Sequence, residues 1–306
     1  MTAVLPPLAS TTLHDGSIDS SPPPRRDLEP MRLGAARALL AVPLACVWIV
    51  LYLAVLSDFE QGHTQHSLYD RLRTELALGE APAGAPIPVG DPVAVISAPA
   101  IGLDNVVIVE GSGNAELQAG PGHVTGTVLP GQQGWSSVAG KSFSFGAPFG
   151  RLRELKPGMR FSVTTGQGRF AYEVTRLRIE GDPVPTTVEP GKGRLTLVTS
   201  LRSGGALGGL RPSRTLYVDA ETASAAAAGR VGLKDPDTNY MSGRLTVSTL
   251  AQLALALQLL IVVLIGFAWA WQSWSRRSTW IVGLPTVLAT LWAASSLATA
   301  ALPGLL

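Results

Sequence analysis

Three apolar runs, residues 38–56, 250–271 and 280–302, contain no Asp, Glu, Lys, Arg or His. At about 1.5 Å of rise per residue even the shortest spans roughly 28 Å as a helix, which matches the hydrocarbon core of a bilayer. They read as three transmembrane α-helices, so whatever lies between the first and second must fold as a separate body. Arg25, Arg26, Arg32 and Arg37 precede the first run, and Asp58 and Glu60 follow it. Positive charge stays on the cytoplasmic side, so the N-terminus is expected in the cytoplasm and residues 58–247 outside. Arg276 and Arg277, between the last two runs, return that turn to the cytoplasm. Trp269, Trp271, Trp274 and Trp280 crowd the same turn and suit an interfacial aromatic belt. With no ionisable group inside the last two runs, a transport or proton-relay role has no support.

The sequence divides accordingly. Residues 1–33, rich in Pro, Ser and Thr, are expected as a disordered cytoplasmic tail. Residues 34–57 form the first span, and 58–92 an extracellular stalk and linker. In the stalk, Leu68, Leu72 and Leu76 recur every four residues and predict an amphipathic helix over Gln65 to Leu78. The run APAGAPIPVGDP, from Ala81 to Pro92, then breaks it. Residues 93–220 are the folded domain, 221–247 a mobile linker, 248–272 the second span, 273–279 a cytoplasmic turn and 280–302 the third span.

Charge and cysteine usage exclude several functions. The net charge of +2 is too small to point to nucleic acid. The single cysteine, Cys46, lies inside the first apolar run, so the folded domain has no disulfide, no thiolate metal knuckle and no cysteine nucleophile. No metal or cofactor is implied. His63 and His66 fall on the stalk as solvated polar positions.

Within 93–220, short β-prone runs alternate with Gly and Pro punctuation, favouring a β barrel or sandwich over a βαβ layout. The expected strands are Val93–Ile96, Asn105–Val109, Ser136–Ala139, Arg160–Thr164, Arg169–Ile179, Leu195–Thr199 and Thr215–Val218. Short helical pieces are expected near Ala115–Gln118 and Phe149–Leu155. Two segments end in a way that delivers side chains to a sheet rim: RLTLVTS at 194–200 and SVAGKSFSFGAPF at 137–149. The rim residues are Ser200 and Lys141, and Arg214 in SRTLYVDA stands just before another strand.

Four stretches carry a resemblance: GPGHVTGTVLPGQQG at 120–134, SSVAGKSFSFGAPFGRLRELKPGMRF at 136–161, LTLVTS at 195–200 and RTLYV at 214–218. In this order the region resembles the sortase family, most closely the class E sortases of actinobacteria. The resemblance implies a mainly β fold, a closed eight-stranded barrel with short helices outside the membrane, and a groove accepting the sorting signal of a surface protein. In such enzymes a cysteine attacks the peptide carbonyl, a histidine serves as acid or base, and an arginine steadies substrate and oxyanion. Ser200 stands at the cysteine position, Lys141 at the histidine position, and Arg214 at the arginine. Ser142 replaces a further arginine. His123, Ser142 and Thr199 are expected to line the groove.

The two replacements bear directly on chemistry. A serine hydroxyl needs an adjacent base to become nucleophilic, and a lysine amine is protonated near neutral pH unless it is buried or pressed by another cation. The leading expectation is a membrane-anchored, sortase-like pseudoenzyme of the cell envelope without ordinary transpeptidase activity. Its partners would be a sorting-signal-like peptide and a membrane protein met through the C-terminal helices. The alternative is an active acyltransferase or peptidase using a Ser200–Lys141 dyad with Arg214. The run SGGALGGL at 203–210 lacks the spacing of a phosphate loop and is expected as a flexible wall of the groove.

Overall fold

The computed structural model describes residues 47–48, 51–84, 86–185, 188–202, 212–229, 247–273, 276–299 and 305. Eight strands close into one barrel in the order β1-β2-β3-β4-β7-β8-β6-β5. They are β1 (Pro92–Ala98), β2 (Leu103–Glu110), β3 (Gly122–His123), β4 (Gly134–Ala139), β5 (Arg160–Thr165), β6 (Gly168–Ile179), β7 (Gly193–Arg202) and β8 (Pro212–Thr222). Closure leaves no free sheet edge, which removes the usual route to strand-pairing aggregation. β3 was missed in the sequence because it is two residues long and carries no β-branched or aromatic side chain. The helical piece expected at Phe149–Leu155 shrinks to a 3-10 turn, Leu152–Glu154, held between Gly150 and Pro157.

Alternation along the strands sorts the interior from the outer face. Leu195, Leu197, Leu216, Val218 and Ala220 point inward, where they meet Ile96, Val163, Phe161 and Tyr172. Phe161 and Tyr172 stack with ring centroids 5.5 Å apart. The Tyr172 hydroxyl accepts a 2.6 Å hydrogen bond from the Gly131 amide, so the one polar atom of that ring is satisfied in the core. Burial raises the phenol pKa well above its ordinary value and keeps it neutral.

Helix α1 (Ser57–Leu78) begins upstream of the expected start at Gln65 and lies along the barrel. Leu72 is fully buried against Val95 and Val107 on the outer face of β1 and β2, with Leu68 and Leu76 beside it. Gln65 fixes the register. Its Oε1 accepts from Val107 N at 2.8 Å, and its Nε2 donates to Val107 O at 3.1 Å and Ala119 O at 2.8 Å. At the other end of α1, Phe145 N donates to Ser57 Oγ and Gly146 N to Asp58 Oδ1. The leucine spacing legible in the sequence thus marks a docked face.

Helix α2 (Asn114–Ala119) falls where a short helix was expected. Helices α3 (Val247–Ser273) and α4 (Arg276–Thr299) follow the barrel. Each contains a stretch, Leu250–Trp271 and Arg277–Thr299, long and apolar enough to cross a membrane. Among the described residues these two are the candidate spans. Most of the first expected span, the N-terminal tail, the 203–210 loop and much of the linker lie outside the described residues. The end of α4 meets α2: Asn114 Nδ2 donates to Thr299 O at 3.0 Å and Gln118 Nε2 to Thr299 Oγ1 at 3.2 Å.

Candidate active site

Two strand ends build the site. β4 runs parallel to β7 with Val138 opposite Leu197 and Ala139 opposite Val198, so the residues after each leave at the same rim. Gly140 N donates to Val198 O, and Thr199 Oγ1 donates to Gly140 O at 2.8 Å, locking the two exits together. Thr199 is therefore a brace between the strands. Gly140 has to be glycine for a steric reason: a Cβ there would stand 2.5 Å from the ring of Phe149, a buried core side chain.

On β7, the residues between the inward leucines face outward. Ser200 ends that outward row, is 6 % exposed, and lies opposite Thr215 of β8. Its hydroxyl meets Ser142 Oγ at 2.6 Å and donates to the backbone oxygen of Leu305 at 2.9 Å. Ser142 also reaches that oxygen, from Oγ and from its own amide, each at 3.1 Å. Each hydroxyl has one proton, so Ser142 donates to Ser200 while Ser200 donates to the Leu305 carbonyl, and the Ser142 amide is the second donor to that carbonyl. The Leu305 side chain enters an apolar socket made by Leu117, Ala139 and Val198, with Tyr217 packed alongside.

Lys141 is 1 % exposed. Its amine donates to Asn114 Oδ1 at 3.0 Å and sits 5.4 Å from the centroid of the Phe145 ring. Burial pushes its pKa down to about 7 from an ordinary 10.5, because a charged amine is poorly solvated there. Ser200, Ser142 and Lys141 are thus brought together at one rim. Arg214 pairs with Leu201, so the pleat turns it to the other side of the sheet from Ser200, and its side chain is exposed.

His123 sits on the far side of β4, 2 % exposed. Its Nδ1 lies 2.7 Å from Glu110 Oε2, and its Nε2 lies 2.9 Å from Val128 O and 3.0 Å from Thr127 Oγ1. Thr127 gives its hydroxyl proton to Val124 O. The ring is clamped from both nitrogens.

The structure adds residues that sequence reasoning missed. Asn114 binds both Lys141 and the end of α4. Its only advance signal was its place at the start of a short helix. Arg178 and Asp219 form an ion pair at 2.7 Å, 7 % and 1 % exposed, and the Arg178 guanidinium lies 4.3 Å over the Tyr217 ring. Asp219 also accepts from Thr196, which in turn accepts from Trp135 Nε1. This chain stiffens the sheet face that supports the Leu305 socket. Leu305 itself had no local signal, since it meets Ser200 across a separation of 105 residues.

Comparison with known proteins gives a consistent picture for the barrel. Residues 96–203 match the family model described as the sortase domain. A sortase D5 transpeptidase of Clostridium perfringens shares 22% identity over 52% of this chain and 98% of its own, with a TM-score of 0.42. The SrtA sortase of Actinomyces oris shares 26% identity over 52% of this chain and 96% of its own, with a TM-score of 0.40. A mutant of sortase E from Streptomyces avermitilis shares 30% over 45% of this chain and 91% of its own, with a TM-score of 0.37. No curated protein matches the chain.

Proposed function

We propose, for a chain whose barrel is a sortase domain over residues 96–203, that the Ser200 rim binds a peptide segment and does not carry out ordinary sortase transpeptidation. The observation that carries this reading is the hydrogen bonding of Ser200. A nucleophilic serine must pass its proton to a base, yet this hydroxyl is engaged by a second hydroxyl and by a peptide carbonyl. Donors converging on a carbonyl are what a peptide-binding groove requires. The Cys and His positions implied by the family resemblance hold Ser200 and Lys141, which fits the same reading.

The protein would act at the cell surface, tethered by its apolar helices with the barrel outside and the N-terminus in the cytoplasm. It would hold a sorting-signal-like segment of a surface protein, or a membrane partner met through α3 and α4. An actinobacterial cell envelope is the setting this proposal envisages. Thr199 would keep the rim in register, and His123 would support it from behind β4.

One observation favours a second reading. A lysine lowered to about 7 is half neutral at physiological pH, so Lys141 meets one requirement of a base. In that reading Ser200 is the nucleophile, Lys141 the base and Arg214 the oxyanion partner, after rearrangement brings Arg214 round. The test is the full chain in detergent or nanodiscs, treated with a fluorophosphonate probe and with sorting-signal peptides plus an amine acceptor. Peptide binding without labelling or product supports the binding role. Labelling that vanishes in both Ser200→Ala and Lys141→Met establishes the serine enzyme instead.

A further inference from the structure

We infer that the chain supplies its own occupant for the Ser200 rim: Leu305 closes the site in cis, and any peptide from outside must displace it. The contact is specific on two counts. The Leu305 carbonyl takes a hydrogen bond from the linked pair of serine hydroxyls and another from the Ser142 amide. Its side chain is 5 % exposed and fills the socket of Leu117, Ala139 and Val198. The polar part and the apolar part of the same residue are therefore matched separately, which random apposition of an apolar tail would not achieve.

The end of α4 is also held beside the site. Thr299, at the end of α4, is held by Asn114 through its carbonyl and by Gln118 through its hydroxyl. Asn114 is at the same time the acceptor for the Lys141 amine. One side chain thus ties the end of the apolar helix to the buried lysine of the site. Leu305 follows Thr299 by six positions, a reach of at most roughly 20 Å when extended. A tether that short gives an effective concentration on the order of millimolar when its length suits the span. Against it, a peptide in trans competes only if its own contacts are stronger or if α4 shifts and withdraws Thr299. Leu305 therefore acts as a latch whose state is set by the position of the apolar helix, and the ligand class is a leucyl residue of an extended peptide.

The inference rests on the reading of the rim as a peptide site, and the experiment separates the two. The full chain is prepared in nanodiscs as the double variant Cys46→Ala, Ser200→Cys, so that position 200 carries the sole thiol. Labelling by a small polar methanethiosulfonate reagent is followed with and without the further change Leu305→Asp. The expected result is slow labelling that becomes about tenfold faster or more when Leu305 is changed, as a millimolar tether predicts. Equal rates overturn the inference. A second measurement needs no destabilising change: a benzophenone amino acid placed at 305 should, on irradiation, form a link within one chain to Tyr217 or Val198. A link only between chains, or none, overturns closure in cis. The closing test adds excess sorting-signal peptide: faster labelling of the Leu305-containing chain supports both readings. A cis link that forms while no added peptide binds even the Leu305→Asp chain supports the latch and removes the peptide-binding function. Peptide binding of equal strength with and without Leu305→Asp removes the latch and leaves that function standing.

Discussion

β4 separates two buried polar clusters that are completed in different ways. On one side, His123, Glu110, Thr127 and Val128 satisfy one another within a short stretch of chain. On the other, Ser200 and Ser142 turn toward a carbonyl that arrives from beyond α4, and Lys141 donates to Asn114 on a different element. The first cluster is closed by residues that fold together. The second turns a linked pair of hydroxyls and one amide toward a single exchangeable acceptor. Buried polar groups must be paired, so a cluster that local residues cannot complete is where a ligand or a distant segment has to enter. That contrast distinguishes a structural histidine from a binding rim without appeal to residue type, since both clusters are equally buried.

The closed cluster should break most expensively. Glu110→Ala leaves the buried His123 Nδ1 without its 2.7 Å partner, and an unsatisfied buried polar group costs about 3 kcal/mol, the upper end of the range for such groups. Equilibrium unfolding of the full chain in detergent measures it. Glu110→Gln retains an acceptor oxygen and should cost much less. A small effect from the alanine variant would show that the cluster is not what holds β3 to β2 and β4. Next in size is Gly140→Ala, which drives a methyl group into Phe149 and should cost roughly 1–3 kcal/mol. Because Gly140 precedes Lys141 and Ser142, this change should also raise the reactivity of a thiol at position 200 while leaving His123 protected.

Lys141→Met tests the open cluster in the opposite direction. The folded pKa of about 7 lies below the ordinary 10.5, so the folded state binds this proton less readily than the unfolded chain. Above pH 10.5 both states are neutral and the lysine carries no such cost. As pH falls through that value, the unfolded chain is protonated first and folding loses stability, until the cost levels off below about 7. Removing the amine should therefore stabilise the protein by about 1–2 kcal/mol at pH 7, after the lost bond to Asn114 is subtracted, and by less at pH 10. A variant less stable than the parent at both pH values would show that the interactions of the amine, the Asn114 bond among them, outweigh its desolvation.

How much of this could be seen in the sequence follows from the range of the contacts. Seven of the eight strands left a signal because alternation and β-branched residues act locally, whereas β3 exists only because β2 and β4 pair with it. The Leu68, Leu72, Leu76 spacing gave the helix but not its partner, since a pattern of period 3.6 states which face is apolar and not what covers it. Ser200 and Lys141 were legible as rim residues from strand endings and family resemblance. Ser142, expected in the groove wall, lies beside Ser200 at the Leu305 carbonyl. Leu305 carried no signal and Asn114 only its place at the start of a short helix, because their roles depend on the packing of α2 and α4, and Arg214 pointed elsewhere because one step of register decides the face.

The smallest expected effect sharpens the comparison most. Ser142→Ala removes one of the two linked hydroxyls at the Leu305 carbonyl and leaves the Ser142 amide in place. A single neutral hydrogen bond is worth about 1 kcal/mol net, and here the carbonyl keeps both its donors, so global stability should change by no more than that. The local consequence is different. Ser200 loses the neighbour 2.6 Å away and its hydroxyl is committed to the Leu305 carbonyl alone. If the rim is a receptor for a peptide carbonyl, added peptide should bind the chain carrying Ser142→Ala and Leu305→Asp about fivefold to tenfold more weakly than the chain carrying Leu305→Asp alone, the equivalent of about 1 kcal/mol, with the unfolding midpoint almost unmoved. If the two serines were merely packing residues, affinity and stability would fall together or neither would change, and the distinction between the closed and open clusters would lose its basis.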